Sequence, residues 1–455
     1  MRILSLFAAA LLGSAASVSG LTIRSETDTT PDGFTKIRPG GIKDLIVSEE
    51  TTLNGTHKGD PVIVDPSSQM RTSDLKVAAT LPMHFVNNLG TEITAYLTGK
   101  DESGRVAFIR RDGSMLYPSS GGSAVPVPIS QDVKIMISPG GVLDMTLPVA
   151  IESGRIYFSV GELQFGVVAT PDGEGIVQPA PNNPADPSSG VNWGFVEFTL
   201  LPDGALWANI SFVDFVGLPL GMELTVHGGG DTQSAYGVYR DAVAVICDAL
   251  RRQEAADGRP WSALCMAGAD GKPVRALSPT GYSDINPDGF RTYWDDYANR
   301  VWAKYANEPL VINTQSGAGH VDCRVSGNML SCEGDNRPYP KPTAIDIWGC
   351  NSGPFGKIGQ ENAVHLAVIP RLCAAFVRST LLVNGGNVQP ALGQAHYYKV
   401  DPTNHYSRLV HENEVDGKGY AFAYDDVNPD GLENASGTVS SGSPKTLSVF
   451  IGSPP

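Results

Sequence analysis

From residue 83 to residue 170 the chain is a succession of short apolar runs that alternate with polar residues: MHFVNN, ITAYLTG, VAFIRR, VKIMIS, VLDMTLPVAI, GRIYFSV and QFGVVAT. Gly, Pro, Asn and Asp separate them. A period of two sends successive side chains to opposite faces of a strand, so each run can bury one face and turn back at the next break. This pattern commits the region to antiparallel sheet, folded as a sandwich or a barrel.

The period then changes. VYRDAVAVICDALRRQ, RTYWDDYANRVWAKYAN and ENAVHLAVIPRLCAAFVRST place apolar residues three and four apart, which predicts three helices, the last kinked or divided at Pro370. Strand-like pieces, PLVINTQ, HVDCRV and TAIDIWG, lie between them. GYAFAYDD and TLSVFIG return to strand patterning. The expected class is mainly β with α+β. A β domain over 78–230 and 417–455 is interrupted by a mixed α/β unit over 231–416, and the last strands close the first domain.

Ahead of these lies a different text. Met1-Arg2, the run ILSLFAAALL and the small residues GSAASVSG have the parts of a secretory signal peptide, so residues 1–20 are expected to be removed. Residues 21–77, rich in Thr, Ser, Asp, Gly and Pro, read as a loose polar arm or pro-segment. No other run approaches the length needed to cross a bilayer. A secreted, extracellular protein, free or associated with a cell wall, is the expectation.

Secretion makes the six cysteines readable as three disulfides, although six cysteines allow 15 pairings. Neighbour pairing is expected: Cys247 with Cys265, Cys323 with Cys332 across a turn, and Cys350 with Cys373. A zinc site is disfavoured, since no CxxC pair occurs and His320 beside Cys323 is an isolated coincidence. The net charge of −15 repels nucleic acid and anionic membranes, so neither is an expected partner. Sequons at Asn54, Asn209 and Asn434 are compatible with N-glycosylation.

One hairpin poses the chemical question. FVEFTLL and ALWANISFVDF flank Pro202-Asp203-Gly204, a turn in which Pro fixes φ and Gly accepts φ > 0. Glu197 sits within one apolar, aromatic strand and Asp214 at the end of the other. The plain reading is a carboxylate on a solvated face and an aspartate in a turn. The other reading comes from the neighbourhood: Trp193, Trp207, Thr199, Asn209 and Ser211 supply aromatic surfaces and polar groups suited to sugars. Packing is the alternative for Trp193, Trp207 and Thr199, while Glu223 and Asp203 read as structural. Two carboxylates in such a groove can cleave a glycosidic bond, one as acid and one as base or nucleophile.

Geometry resists this. If Leu201 pairs with Ala205, Glu197 lies opposite Asn209, and Asp214 falls five residues on, roughly 16 Å along a straight strand. An inverting pair stands about 6.5 to 9.5 Å apart. The strand must bulge or bend near Ser211–Val213 or before Gly217.

GRIYFSVGELQFGVV (154–168), VQPAPNNPADP (177–187), WGFVEFTL (193–200), ANISFVDFVGLPLGMEL (208–224), VINTQ (311–315) and YAFAYDD (420–426), taken in this order, resemble glycoside hydrolase family 64, the laminaripentaose-producing endo-β-1,3-glucanases, and more distantly the thaumatin-like proteins. The resemblance extends from about residue 80 to the C-terminus. It implies a thaumatin-like β-barrel or sandwich domain joined to a smaller α/β domain, with a wide groove between them for the glucan.

It also implies roles. Glu197 would be the general acid and Asp214 the general base that activates water, inverting the anomeric carbon without metal or organic cofactor. From their place beside these carboxylates, Thr199, Asn209, Ser211, Trp193 and Trp207 are expected to contact substrate. Asp425 and Asp426 either line the groove or end a strand. Asn209 stands where thaumatin-like proteins usually carry an aspartate, and a glycan on it would obstruct the groove, so it is expected to be unmodified. The implied protein is a monomeric glycoside hydrolase acting on β-1,3-glucan. The rival is a non-catalytic glucan-binding or wall-associated protein. A protease or esterase is disfavoured, as no Gly-x-Ser-x-Gly or Asp-Thr-Gly segment occurs.

Overall fold

A computed structural model describes residues 28–66, 79–432 and 434–452. The expected signal peptide lies outside the described residues. By internal contact the chain divides into a larger unit, Thr29–Phe290 with His405–Asp426 and Glu433–Pro455, and a smaller one that includes Arg291–Asn404 and Val427–Leu432.

The larger unit is built on an open nine-stranded sheet. Its centre is antiparallel: Ile93–Lys100, Ile151–Val160, Asn192–Leu200 and Leu206–Ile210 lie side by side in that order. Tyr157 pairs with Tyr96 on one side and Phe195 on the other. Phe158, pointing the opposite way, meets Phe85 of a second, five-stranded sheet edge to face at 5.2 Å. In that sheet the C-terminal strand Pro444–Ile451 lies between Leu81–Asn87 and Leu220–Val226. The other face of the large sheet packs Tyr96, Tyr157, Trp193 and Phe195 with Phe165 and with Phe215, Met266 and Leu277 of a four-stranded sheet. This is a layered β-sandwich, and among the described residues no sheet closes into a barrel.

The polar arm needs correction. Thr35–Lys36, Thr52–Asn54 and Val62–Val64 each add a strand to a sheet edge, and Phe34, Ile37 and Leu45 are buried. Short edge strands need little apolar periodicity of their own, because the sheet they join supplies the partner. The helix Ala242–Asp257 and its disulfide Cys247–Cys265 also fall in the larger unit, whereas periodicity groups them with the insertion.

The smaller unit has a five-stranded sheet, ordered Tyr339–Pro340, Met329–Cys332, His320–Ser326, Leu310–Asn313 and Val388–Gln389. Its helices are Asp295–Asn307, Ala344–Gly349 and Ala363–Val377, the last running through Pro370. TAIDIWG is therefore helical rather than a strand. The Asp346 carboxylate accepts from the Thr343 amide at 2.9 Å and from its hydroxyl at 2.7 Å, closing a capping box that outweighs the β-branched composition. All three disulfides pair neighbours as expected.

Candidate active site

The hairpin forms in the expected register, with Leu200 opposite Leu206 and Glu197 opposite Asn209. Arg155 lies opposite Glu197 on its other side, so Arg155, Glu197 and Asn209 make one row across three strands. The same face carries the aromatic core one row away, where Phe195 is 3% exposed. At Glu197 that core ends. Its side chain is 35% exposed, and Thr199, Trp207 and Asn209 beside it are half-buried.

Glu197 does not stand alone. Arg155 donates to its Oε1 from Nε at 3.1 Å and from Nη2 at 2.9 Å. Arg155 Nη1 also donates to Gln178 Oε1 at 3.0 Å, and the Tyr157 hydroxyl donates to that same oxygen. The guanidinium lies 4.8 Å from the centre of the Phe195 ring. Burial opposes its charge, but Tyr157, Glu197 and Asp214 together favour it, so Arg155 stays cationic beside Glu197.

The strand does not run straight to Asp214. Leu206–Ile210 ends one residue before Ser211, the chain bends at Val213–Asp214, and Phe215–Val216 pairs with Pro273–Leu277 of another sheet. The Asp214 carbonyl accepts from the Ser278 amide at 2.8 Å. Gly217 is required just beyond, since a Cβ there would stand 2.2 Å from the Trp193 carbonyl oxygen. The path from Glu197 to Asp214 is therefore bent, as the sequence reading requires.

Asp214 is exposed on the surface of its unit. Neighbouring protein nevertheless desolvates the carboxylate and raises its pKa. Arg155 opposes that rise, while Glu197, Asp284 and Glu50 add to it. Asp284, itself raised by desolvation and by Glu50, accepts from Asn182 Nδ2 at 2.6 Å.

Other expected residues lie elsewhere. Trp193 is 2% exposed, its ring 4.5 Å from that of Phe215, so it packs the core and has no surface to offer a sugar. Ser211 is buried and bridges to Tyr420. Asp425 is 1% exposed and ion-paired to His411, 3.1 Å away, which removes it from any groove. Asp426 is exposed and accepts from the Tyr420 hydroxyl at 2.9 Å. The segment around them is a run of turns rather than a strand, with Tyr424 at φ 69°. The sequence alone does not single out Arg155, Gln178 and Tyr157. The signal was present in GRIYFSV, where an arginine on the face of Tyr157 interrupts an apolar strand that has no reason to bury a charge unpaired. Among the described residues no group of three or more His, Cys, Asp or Glu side chains is placed to hold a metal.

A layered β-sandwich that presents an arginine-held carboxylate and a second, exposed carboxylate at the end of the same hairpin, beside amide, hydroxyl and indole groups, has the equipment of a glycoside hydrolase. The chain matches the β-1,3-glucanase family over residues 79–451, and it belongs to that family, glycoside hydrolase family 64. It is 30% identical over 360 residues to a glucan endo-1,3-β-glucosidase of Cellulosimicrobium cellulans and 29% identical over 360 residues to one of Arthrobacter sp. (strain YCWD3). Each match covers 77% of this chain and 62% of the relative, so the chain spans less than two thirds of the length of these relatives. Among solved structures it is similar to a laminaripentaose-producing β-1,3-glucanase in complex with laminaritetraose, at 31% identity and TM-score 0.71, covering 82% of this chain and 99% of that one. A β-1,3-glucanase domain from Clostridium beijerinckii, at 20% identity and TM-score 0.63, covering 82% and 98%, shares the fold.

Proposed function

We propose that this chain is a secreted, monomeric endo-β-1,3-glucanase that cleaves internal β-1,3-glucosidic bonds with inversion, Glu197 and Asp214 forming its acid–base pair. The observation that carries the reading is Glu197, held by Arg155 at 2.9 and 3.1 Å where the aromatic face of the sheet opens to solvent, with exposed Asp214 in the bend that follows the same hairpin. Membership of the family and the likeness to the laminaritetraose-bound glucanase support it.

In this reading Thr199, Asn209 and Trp207 line the sugar path, Asp426 borders it, and neither metal nor organic cofactor takes part. Glu197 protonates the departing glycosidic oxygen. Asp214 takes a proton from the water that attacks C1 from the opposite face.

A second assignment exchanges the two roles. In the free chain Arg155 occupies an oxygen of Glu197, while desolvation raises the proton affinity of Asp214, an arrangement that suits Asp214 as the acid. Leaving-group dependence decides between them. If Glu197 is the acid, Glu197→Gln loses turnover of glucan but keeps turnover of a β-glucoside with a nitrophenolate leaving group, and azide restores Asp214→Asn by replacing the activated water. The reverse pattern assigns Asp214 as acid. Wild type that binds linear β-1,3-glucan and never cleaves it would establish a glucan-binding protein instead.

A further inference from the structure

Asp214 sits in a bend, and a bend needs something to hold it. The helix His405–Glu412 of the larger unit supplies the hold at two points. The hydroxyl of buried Tyr406 donates to the Phe212 carbonyl at 2.6 Å. The Phe212 amide donates to the Tyr420 carbonyl at 2.8 Å. Tyr420 opens a turn whose Ala421 amide donates to Asp425 Oδ2 at 2.8 Å, while the Ala421 carbonyl accepts from Ser407 Oγ at 3.0 Å. That same Asp425 oxygen is 3.1 Å from His411 Nε2, and His411 Nδ1 is 3.1 Å from Glu414 Oε2.

The imidazole is thus held at both ring nitrogens by carboxylates, with side chains of Glu414 and Asp425 at most 1% exposed. Burial opposes a charge on His411, but Asp425 and Glu414 outweigh it and raise its pKa to about 10. Neither carboxylate is a natural resident of a protein core, and a buried pair of like charges requires the cation between them.

We propose that His411, acting through Asp425 and the Tyr420–Asp425 turn, is a positioning residue that fixes the Ser211–Asp214 bend and so aims the Asp214 carboxylate. Helix, turn and bend form one hydrogen-bonded chain, with Tyr406 gripping the bend directly and His411 gripping the turn behind it. The inference rests on the reading of Asp214 as a member of the acid–base pair.

The test uses the full chain and two variants, His411→Gln and Asp425→Asn, the second serving if the first does not fold. Steady-state kinetics on linear β-1,3-glucan are paired with amide hydrogen exchange resolved to peptides. A loosened bend lowers kcat by about 10- to 100-fold, as a displacement of about 1 Å does, with KM within about twofold. It also speeds exchange at residues 211–216 while leaving Asn192–Leu200 protected. Unchanged kcat, or faster exchange throughout the unit together, overturns the proposal. Wild type without turnover contradicts the enzymatic reading alone, and exchange at 211–216 then decides whether His411 holds the bend.

Discussion

Arg155 and Glu197 lie directly opposite each other on neighbouring strands, and two guanidinium nitrogens converge on one carboxylate oxygen at 2.9 and 3.1 Å. The same arginine lowers the proton affinity of Asp214. Removing it as Arg155→Gln lets the Asp214 pKa, already raised by desolvation, rise further. A base works above its pKa, so with Asp214 as base the acid limb of the kcat/KM profile moves to higher pH in the variant. A pH series on soluble β-1,3-glucan reads the shift, and an acid limb that stays in place or moves down contradicts the assignment.

Gly217→Ala tests the bend from the other side. The added methyl meets the Trp193 carbonyl at 2.2 Å, and backbone cannot move aside as a flexible side chain can. We expect a loss of about 1 to 3 kcal/mol in stability from overpacking. Because Asp214 is three residues away, kcat should fall more than the melting temperature implies. Melting curves and kcat measured on the same preparation check both.

Stability at alkaline pH follows from His411. Its folded pKa, about 10, lies above the ordinary imidazole value of 6.5. The ion pairs with Asp425 and Glu414 therefore contribute fully below about pH 6.5 and are lost as pH rises through about 10, with Asp416 near Glu414 adding to the negative charge left behind. Thermal unfolding of the wild type should weaken from pH 7 to pH 10, and that slope should be flatter in His411→Gln. Equal slopes would contradict the charged state of this histidine.

Much of the fold is legible in the sequence because its signals are local. Alternation marks the sandwich strands, Pro202-Asp203-Gly204 sets the hairpin register, and the neighbouring cysteines do pair. The failures share a cause. Thr35–Lys36 and Thr52–Asn54 become strands only because a distant sheet edge accepts them, Trp193 is buried by aromatic partners from other strands, and Asp425 finds its cation on another element. At the site, Glu197 and Asp214 are visible as misplaced charges. Arg155 becomes meaningful only once register sets it across from Glu197.

The disulfide Cys350–Cys373 closes 23 residues in the smaller unit. Loop-closure entropy assigns such a cross-link about 3 kcal/mol. Replacing both cysteines by alanine should lower the melting temperature of that unit and leave the exchange protection of Asn192–Leu200 in the larger unit intact. Loss of protection in that strand would show that the two units do not unfold separately.

The most direct measurement is product release from linear β-1,3-glucan by wild type and Glu197→Gln, with the first-formed anomer read by NMR. An α-anomer from wild type, with turnover nearly abolished and glucan binding retained in the variant, is the predicted result. A β-anomer, or a variant as active as wild type, would contradict an inverting reaction carried by Glu197 and Asp214.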